Sequence, residues 1–191
     1  MTIRLVGNWT KGSAYDIHTL SSTYLGVDSH GHDHYDSQRS EMGQLLYELK
    51  YQRKQSVVSR IVGLLLSTYR GLEKADVIIP VPASKVRALQ PVTEVAKALG
   101  ASVNVPVSEA LIKQAGGEEL KNIADPSERV SKLGNLISFD AENYDLVGKN
   151  VLLLDVLYPS GSTLTVATDV IFKAGAKNVV VLTLTKTRSN T

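Results

Sequence analysis

Asp155 ends the apolar run Val151-Leu152-Leu153-Leu154, and Ser160-Gly161-Ser162-Thr163 follows it just before a stretch with helical spacing. A carboxylate at such a place accepts hydrogen bonds from sugar hydroxyls. The loop amides and a helix N-terminus hold a phosphate, because first-turn N–H groups lack partners within the helix and its dipole is positive there. Gly161 permits backbone geometry that other residues resist and lets an anion approach the main chain. Ser160, Ser162 and Thr163 add hydroxyl donors. Together these residue types suit a sugar phosphate. The competing reading of the same four residues is an ordinary helix cap, since Ser and Thr are favoured there without any ligand.

The elements that must position these groups follow from pattern. Residues 150–155 read as a buried strand, 162–174 as a helix stopped by Gly175-Ala176, and 179–184 as another apolar strand. Val77-Ile78-Ile79, closed by Pro80-Val81-Pro82, reads as a further buried strand ending in a rigid loop. Pro91 opens a helix over 91–99, and strands are expected near 102–105 and at 135–139. Residues 113–128 hold Gly116-Gly117, several charges and Asp125-Pro126, the composition of a loop that could close over a site. Toward the N-terminus, 3–9 and 17–25 read as short strands joined by a Lys11-Gly12-Ser13 turn, and 28–38 as a polar loop. Helices are expected over 39–51, with Met42, Leu45, Leu46 and Leu49 inward, and over 55–69, with Val58, Ile61, Val62, Leu65 and Leu66 inward.

Apolar strands alternating with helices predict an α/β protein whose parallel sheet is covered by helices on both faces. Residues 1–70 are expected to form an N-terminal strand-and-helix annex, or hood, and 71–191 the core. Ligands of such sheets sit beyond the carboxyl ends of the strands. That rule selects two loops, 80–85 and 155–163.

Composition narrows the chemistry. The 191 residues suit one domain or one with a small annex, and 43% hydrophobic content is enough for a sizeable core. No cysteine is present, which removes disulfides, thiol catalysis and thiolate metal sites and fits a reducing compartment. A net charge of +2 gives no reason in itself to expect nucleic acid. The first nine residues carry no long apolar core, and no apolar run approaches the roughly 20 residues of a membrane span. A cytoplasmic protein without a membrane partner is the expectation.

Two further clusters stand out. His30-Gly31-His32-Asp33-His34, with Asp28 and Asp36 nearby, has the ligand types of a transition-metal site, and an extended backbone would put His30, His32 and His34 on one face. A solvated polar loop explains it equally simply. Arg39, Lys50, Arg53, Lys54 and Arg60 make the helical region basic, with Tyr47 and Tyr51 among them. They would suit a nucleic-acid surface, a phosphate-rich site, or plain solvent exposure.

The stretch 155–163 resembles the phosphoribosyl pyrophosphate (PRPP) motif of type I phosphoribosyltransferases: an apolar strand, two adjacent acids, a few variable residues, then Thr-Gly-x-Thr. The wider chain resembles the ComF-like branch through Leu49-Lys50-Tyr51, Ile79-Pro80-Val81-Pro82, and Ser127-Glu128-Arg129 before Gly134-Asn135, over roughly residues 39–188. The resemblance implies the type I phosphoribosyltransferase-like fold. It makes Asp155 the first acid, on the ribose hydroxyls, and Tyr158, Ser160, Gly161, Ser162 and Thr163 the 5′-phosphate loop. Ala83, Ser84 and Lys85 fall in the pyrophosphate loop, where Lys85 adds positive charge. Mg²⁺ is implied as the cofactor, bridging pyrophosphate and ribose through PRPP with no direct protein ligand. A homodimer is the usual assembly of the family resembled.

The implied reaction moves ribose 5-phosphate from PRPP to a nitrogen acceptor, such as a nucleobase, with release of pyrophosphate. The chain departs from the pattern at three places. Val156 replaces the second acid, at a cost of about 1–3 kcal/mol in ribose hydrogen bonds. Pro159 stands where a general base would fall. Val86-Arg87-Ala88-Leu89-Gln90-Pro91 replaces the basic, Gly-Phe-Asn-Gln continuation of the pyrophosphate loop. The alternative is therefore a non-catalytic PRPP- or nucleotide-binding regulator, or a ComF-like accessory protein in DNA uptake or defence.

Overall fold

The computed structural model describes residues 2–27, 31–83, 89–114 and 125–188, with the backbone alone for Pro126, Ser127 and Arg129. In chain order the strands and helices are β1 (Ile3–Arg4), β2 (Lys11–Ile17), β3 (Thr19–Val27), β4 (Asp33–Arg39), α1 (Glu41–Tyr51), α2 (Val58–Thr68), β5 (Val77–Pro80) and α3 (Pro91–Val103). They continue with β6 (Leu111–Lys113), α4 (Pro126–Gly134), β7 (Ile137–Phe139), β8 (Asn150–Tyr158), α5 (Ser162–Lys173) and β9 (Asn178–Lys186).

The central sheet has the order β1-β2-β9-β8-β5, with β2, β9, β8 and β5 mutually parallel and β1 antiparallel at the edge. Strand alternation sends Leu152 and Leu154 of β8 to one face and Val151 and Leu153 to the other, and all four are buried. The first face packs under Leu46 and Leu49 of α1, Ile61 and Leu65 of α2 and Leu99 of α3. The second packs under Leu164, Ala167 and Ile171 of α5, Leu133 of α4 and Ile137 of β7. Apolar runs without polar alternation are what burial on both faces demands. The α/β architecture with helices on both faces is as expected.

The stretch up to residue 70 contributes β1 and β2 to this sheet and α1 and α2 to one helical layer. It also carries β3 and β4, an antiparallel arm outside the sheet. Lys11-Gly12-Ser13 is not a turn but the start of β2, in register with Val180, Val181 and Leu182 of β9. Gly12 and Gly7 serve a different need: a side chain at either would collide with the indole of Trp9, whose Nε1 donates to the Leu5 carbonyl at 3.2 Å. The reversal lies in residues 5–10 instead.

Three other local expectations are corrected. Residues 33–39 are a strand, because β4 pairs with β3 through Tyr24 against Tyr35, rings 5.3 Å apart, and Ser22 against Ser37, hydroxyls 3.0 Å apart. The region near 102–105 is the end of α3, which stops at Asn104 in the left-handed conformation (φ 55°), and the strand-like contact falls later, at Val107 beside Ile78. The segment 113–128 is not all loop, since α4 begins at Pro126 and carries a Glu128–Lys132 ion pair at 3.0 Å.

Candidate functional site

The carboxyl ends of β5, β8, β9 and β2 share one edge of the sheet. β8 does not stop at Asp155, as the sequence suggested. It pairs with β9 through Asp155–Thr183, Leu157–Thr185 and Tyr158–Lys186, and the Thr187 amide extends the ladder by donating to the Tyr158 carbonyl at 3.1 Å. The apolar residues Val156 and Leu157 carry the strand on. Asp155 therefore sits three residues inside the strand, and the connection to α5 shrinks to Pro159, Ser160 and Gly161.

Asp155 is partly buried, and its carboxylate accepts a hydrogen bond from the Val156 amide at 2.7 Å. Burial pushes its pKa up to about 7, against the opposing pull of the Val156 amide, the Lys113 ammonium and the Leu157 amide. A carboxyl poised there changes charge near neutrality, so it can accept sugar hydroxyls when ionised and hold a proton when not. Lys113, at the end of β6, has its own pKa lowered by burial and raised by Asp155. Sequence reasoning missed Lys113. The available signal was a short apolar strand, Leu111-Ile112, ending in a cation just before the glycine-rich stretch.

Gly161 is the N-cap of α5, with φ 82° and ψ −6°, and no side chain caps the helix. The ordinary-cap reading of Ser160 to Thr163 thus does not describe this helix start. Ser162 is buried at the first helical position, Thr163 is partly buried, and the Ser160 and Ser162 hydroxyls lie 3.2 Å apart. Tyr158 lies against Gly161, and its ring meets Trp9 edge-on at 6.4 Å between centroids. The Thr187 hydroxyl donates to the Tyr158 and Pro159 carbonyls at 3.3 Å each. Uncapped amides and neighbouring hydroxyls at a helix N-terminus are groups of the kind that can hold an anion.

Of the expected pyrophosphate loop, Ala83 is exposed at its start, while Ser84 and Lys85 lie outside the described residues. The Val81 amide donates to the Leu154 carbonyl at 2.8 Å, so this loop leaves the sheet beside Asp155. His30 also lies outside the described residues. His32 and His34 are exposed on the arm, and no group of three metal-ligating side chains occurs among the described residues. Among the basic residues, Arg60 pairs with Glu41 and Lys54 with Glu48 (3.0 Å), the solvent-facing option. Arg39 and Lys50 lie instead over tyrosine rings.

No family model matches the chain, and no curated protein matches it. Solved structures do. Orotate phosphoribosyltransferase from Aeropyrum pernix matches at 17% identity with a TM-score of 0.50, over 88% of this chain and 76% of that one. A purine phosphoribosyltransferase from Pyrococcus horikoshii matches at 19% and 0.43, over 71% and 74%. Glutamine PRPP amidotransferase from B. subtilis matches at 20% and 0.47, over 82% of this chain and 34% of that one. The fold is that of the type I phosphoribosyltransferases.

Proposed function

We propose that this protein binds PRPP at the edge formed by β5, β8 and β9, and transfers its ribose 5-phosphate to a nitrogen acceptor. The observation that carries this reading is the uncapped N-terminus of α5 behind Gly161, one short loop beyond Asp155. Ser160 to Thr163 take the 5′-phosphate, and Asp155 takes the ribose hydroxyls. The loop from Ala83 through Ser84 and Lys85 takes the pyrophosphate. The bond from ribose C1 to the pyrophosphate oxygen breaks with its electron pair leaving on pyrophosphate, a bond from C1 to the acceptor nitrogen forms, and that nitrogen gives up its proton to the departing pyrophosphate or to water. Catalysis by these residues is mainly positioning and charge stabilisation of the leaving group.

The described residues fit a Mg²⁺ ion that is held mostly by ligand oxygens. Asp155 supplies an oxygen donor of the kind Mg²⁺ takes, beside the proposed phosphate loop. When bound, the ion neutralises pyrophosphate charge. The ComF-like branch and a homodimer belong to the same reading and rest on the resemblance, and a cytoplasmic place remains the expectation from the sequence. No helix among the described residues is long and apolar enough to cross a membrane.

A second reading is supported by Val156 and Pro159: ligand binding without turnover, as in a regulator or an accessory protein of DNA uptake or defence. One assay separates the two. Pyrophosphate release is measured with PRPP, Mg²⁺ and a panel of nitrogenous bases, alongside PRPP titration by calorimetry. Release supports transfer. Binding without release leaves the regulator. Absence of PRPP binding removes both.

A further inference from the structure

We infer that Arg39 and Lys50, set on Tyr47 and Tyr51 beside His18, form a subsite for the carboxylate of an anionic heteroaromatic ligand. Only the identification of that ligand as the acceptor rests on the PRPP reading; the subsite itself does not. His18 directly follows β2, and its amide donates to the Lys186 carbonyl at 2.8 Å. β2 and β8 flank β9, and His18 follows Ile17, which is level with Lys186 of β9 and Tyr158 of β8, so the cluster lies at the same end of the sheet as the loop that opens α5.

The cluster has an unusual charge balance. The Arg39 guanidinium carbon stands 4.1 Å above the Tyr47 ring centroid, and Lys50 Nζ lies 5.1 Å from that of Tyr51. The two rings are 5.1 Å apart. Arg39, Lys50, Tyr47 and His18 are all partly buried. Burial, then Arg39, then Lys50 hold the His18 pKa below its ordinary value. No carboxylate answers them among the described residues. Asp16 accepts from the Ile17 amide at 2.8 Å, Glu41 is taken by Arg60, and Glu48 by Lys54 and Gln44. Two cations beside one imidazole with no carboxylate partner among the described residues favour an anion placed next to them.

The geometry selects the kind of anion. A guanidinium stacked on a tyrosine is held flat, with its N–H edge free for bidentate donation to a planar carboxylate. Lys50 adds a second, point-like charge. Adjacent tyrosine rings favour a flat ring attached to that carboxylate. The Thr185 hydroxyl donates to the Val156 carbonyl at 3.1 Å. It can therefore only accept from His18 Nδ1, also at 3.1 Å, which fixes the imidazole orientation beside the cluster.

The test uses matched probes that differ in charge and little in shape: pyridine-3-carboxylate against pyridine-3-carboxamide, and pyrimidine-4-carboxylate against its amide. Binding to the full chain is read by calorimetry at pH 7.5, with ribose 5-phosphate titrated separately. The carboxylates are expected to bind at least tenfold tighter than the amides. Arg39→Gln and Lys50→Met should each erase most of that difference and leave ribose 5-phosphate affinity within twofold. Arg39→Lys, which keeps the charge and loses the fork, should retain part of it. Equal binding of acid and amide, or no binding of either, overturns the subsite. So does discrimination that survives in both folded variants. Failure of ribose 5-phosphate alone would instead remove the phosphate-loop reading and leave the subsite standing.

Discussion

A side chain on Gly161 would place its Cβ 2.6 Å from the hydroxyl oxygen of Tyr158. Tyrosine and glycine thus fit one another at the loop that opens α5. The backbone of Gly161 is also left-handed, at φ 82°. Gly161→Ala should lower stability by about 1–3 kcal/mol, from strained backbone and steric conflict together. It should also abolish ribose 5-phosphate binding. Adding Tyr158→Leu should recover the steric part and not the backbone part. Urea denaturation of the single and double variants checks this.

Asp155 couples stability to pH. Its folded pKa is about 7, against 3.8 for an ordinary aspartate. The folded state therefore holds this proton more tightly than the unfolded state. Its contribution is fully present below about pH 4 and is lost as pH rises through about 7. The shift sets a ceiling of roughly 4 kcal/mol on that contribution. Asp155→Asn should flatten the stability profile between pH 4 and 8 and raise Tm at pH 8. Ribose binding that needs the ionised carboxylate should run the opposite way, strengthening as pH rises through 7.

Lys113 sets where that transition falls. Its charge pulls the Asp155 pKa down. Lys113→Met should move the midpoint of the pH profile upward, above 7. The observable is the displacement of the midpoint in the stability–pH curve, which a purely steric effect would leave in place while lowering the whole curve.

Two threonines on β9 should respond in opposite directions to the same change. Thr185 Oγ1 bonds both His18 Nδ1 and the Val156 carbonyl, each at 3.1 Å. Thr185→Val should cost about 1–3 kcal/mol by leaving those groups unsatisfied. Thr183, opposite Asp155, is fully buried, and its hydroxyl has no hydrogen-bond partner among the described residues. Thr183→Val should be neutral or stabilising by about 1 kcal/mol. Thermal melts of the two variants side by side decide it.

Legibility in the sequence followed burial. β5, β8, β9, α1 and α5 could be read because their apolar residues recur with the period of a two-sided core. The arm could not, since β3 and β4 are held by Tyr24–Tyr35 and Ser22–Ser37 pairs, and cross-strand pairing leaves no local period. Asp155 and Ser160 to Thr163 were legible as adjacent chain. Arg39 and Lys50 were legible as part of a basic stretch, but the placing of Lys113 beside Asp155 and of His18 beside Arg39 and Lys50 was not, because segments distant in sequence bring them together. The exact end of β8 was missed because the partners that prolong it, Thr185 to Thr187, lie on another strand.

The strand pair β8–β9 runs nine residues on each side, with Leu153, Leu154, Val181 and Leu184 all shielded from solvent. Its amides should exchange with deuterium only when the whole molecule opens, whereas the arm, exposed on both faces, should exchange early. The proposed phosphate loop is then moored to the slowest-opening part of the chain. The arm that ends at Arg39 is moored to the fastest. Ligand at the proposed phosphate loop should leave exchange rates in β8 and β9 nearly untouched. A ligand gripping Arg39 should slow the arm, which makes deuterium uptake a map of which end of the site is filled.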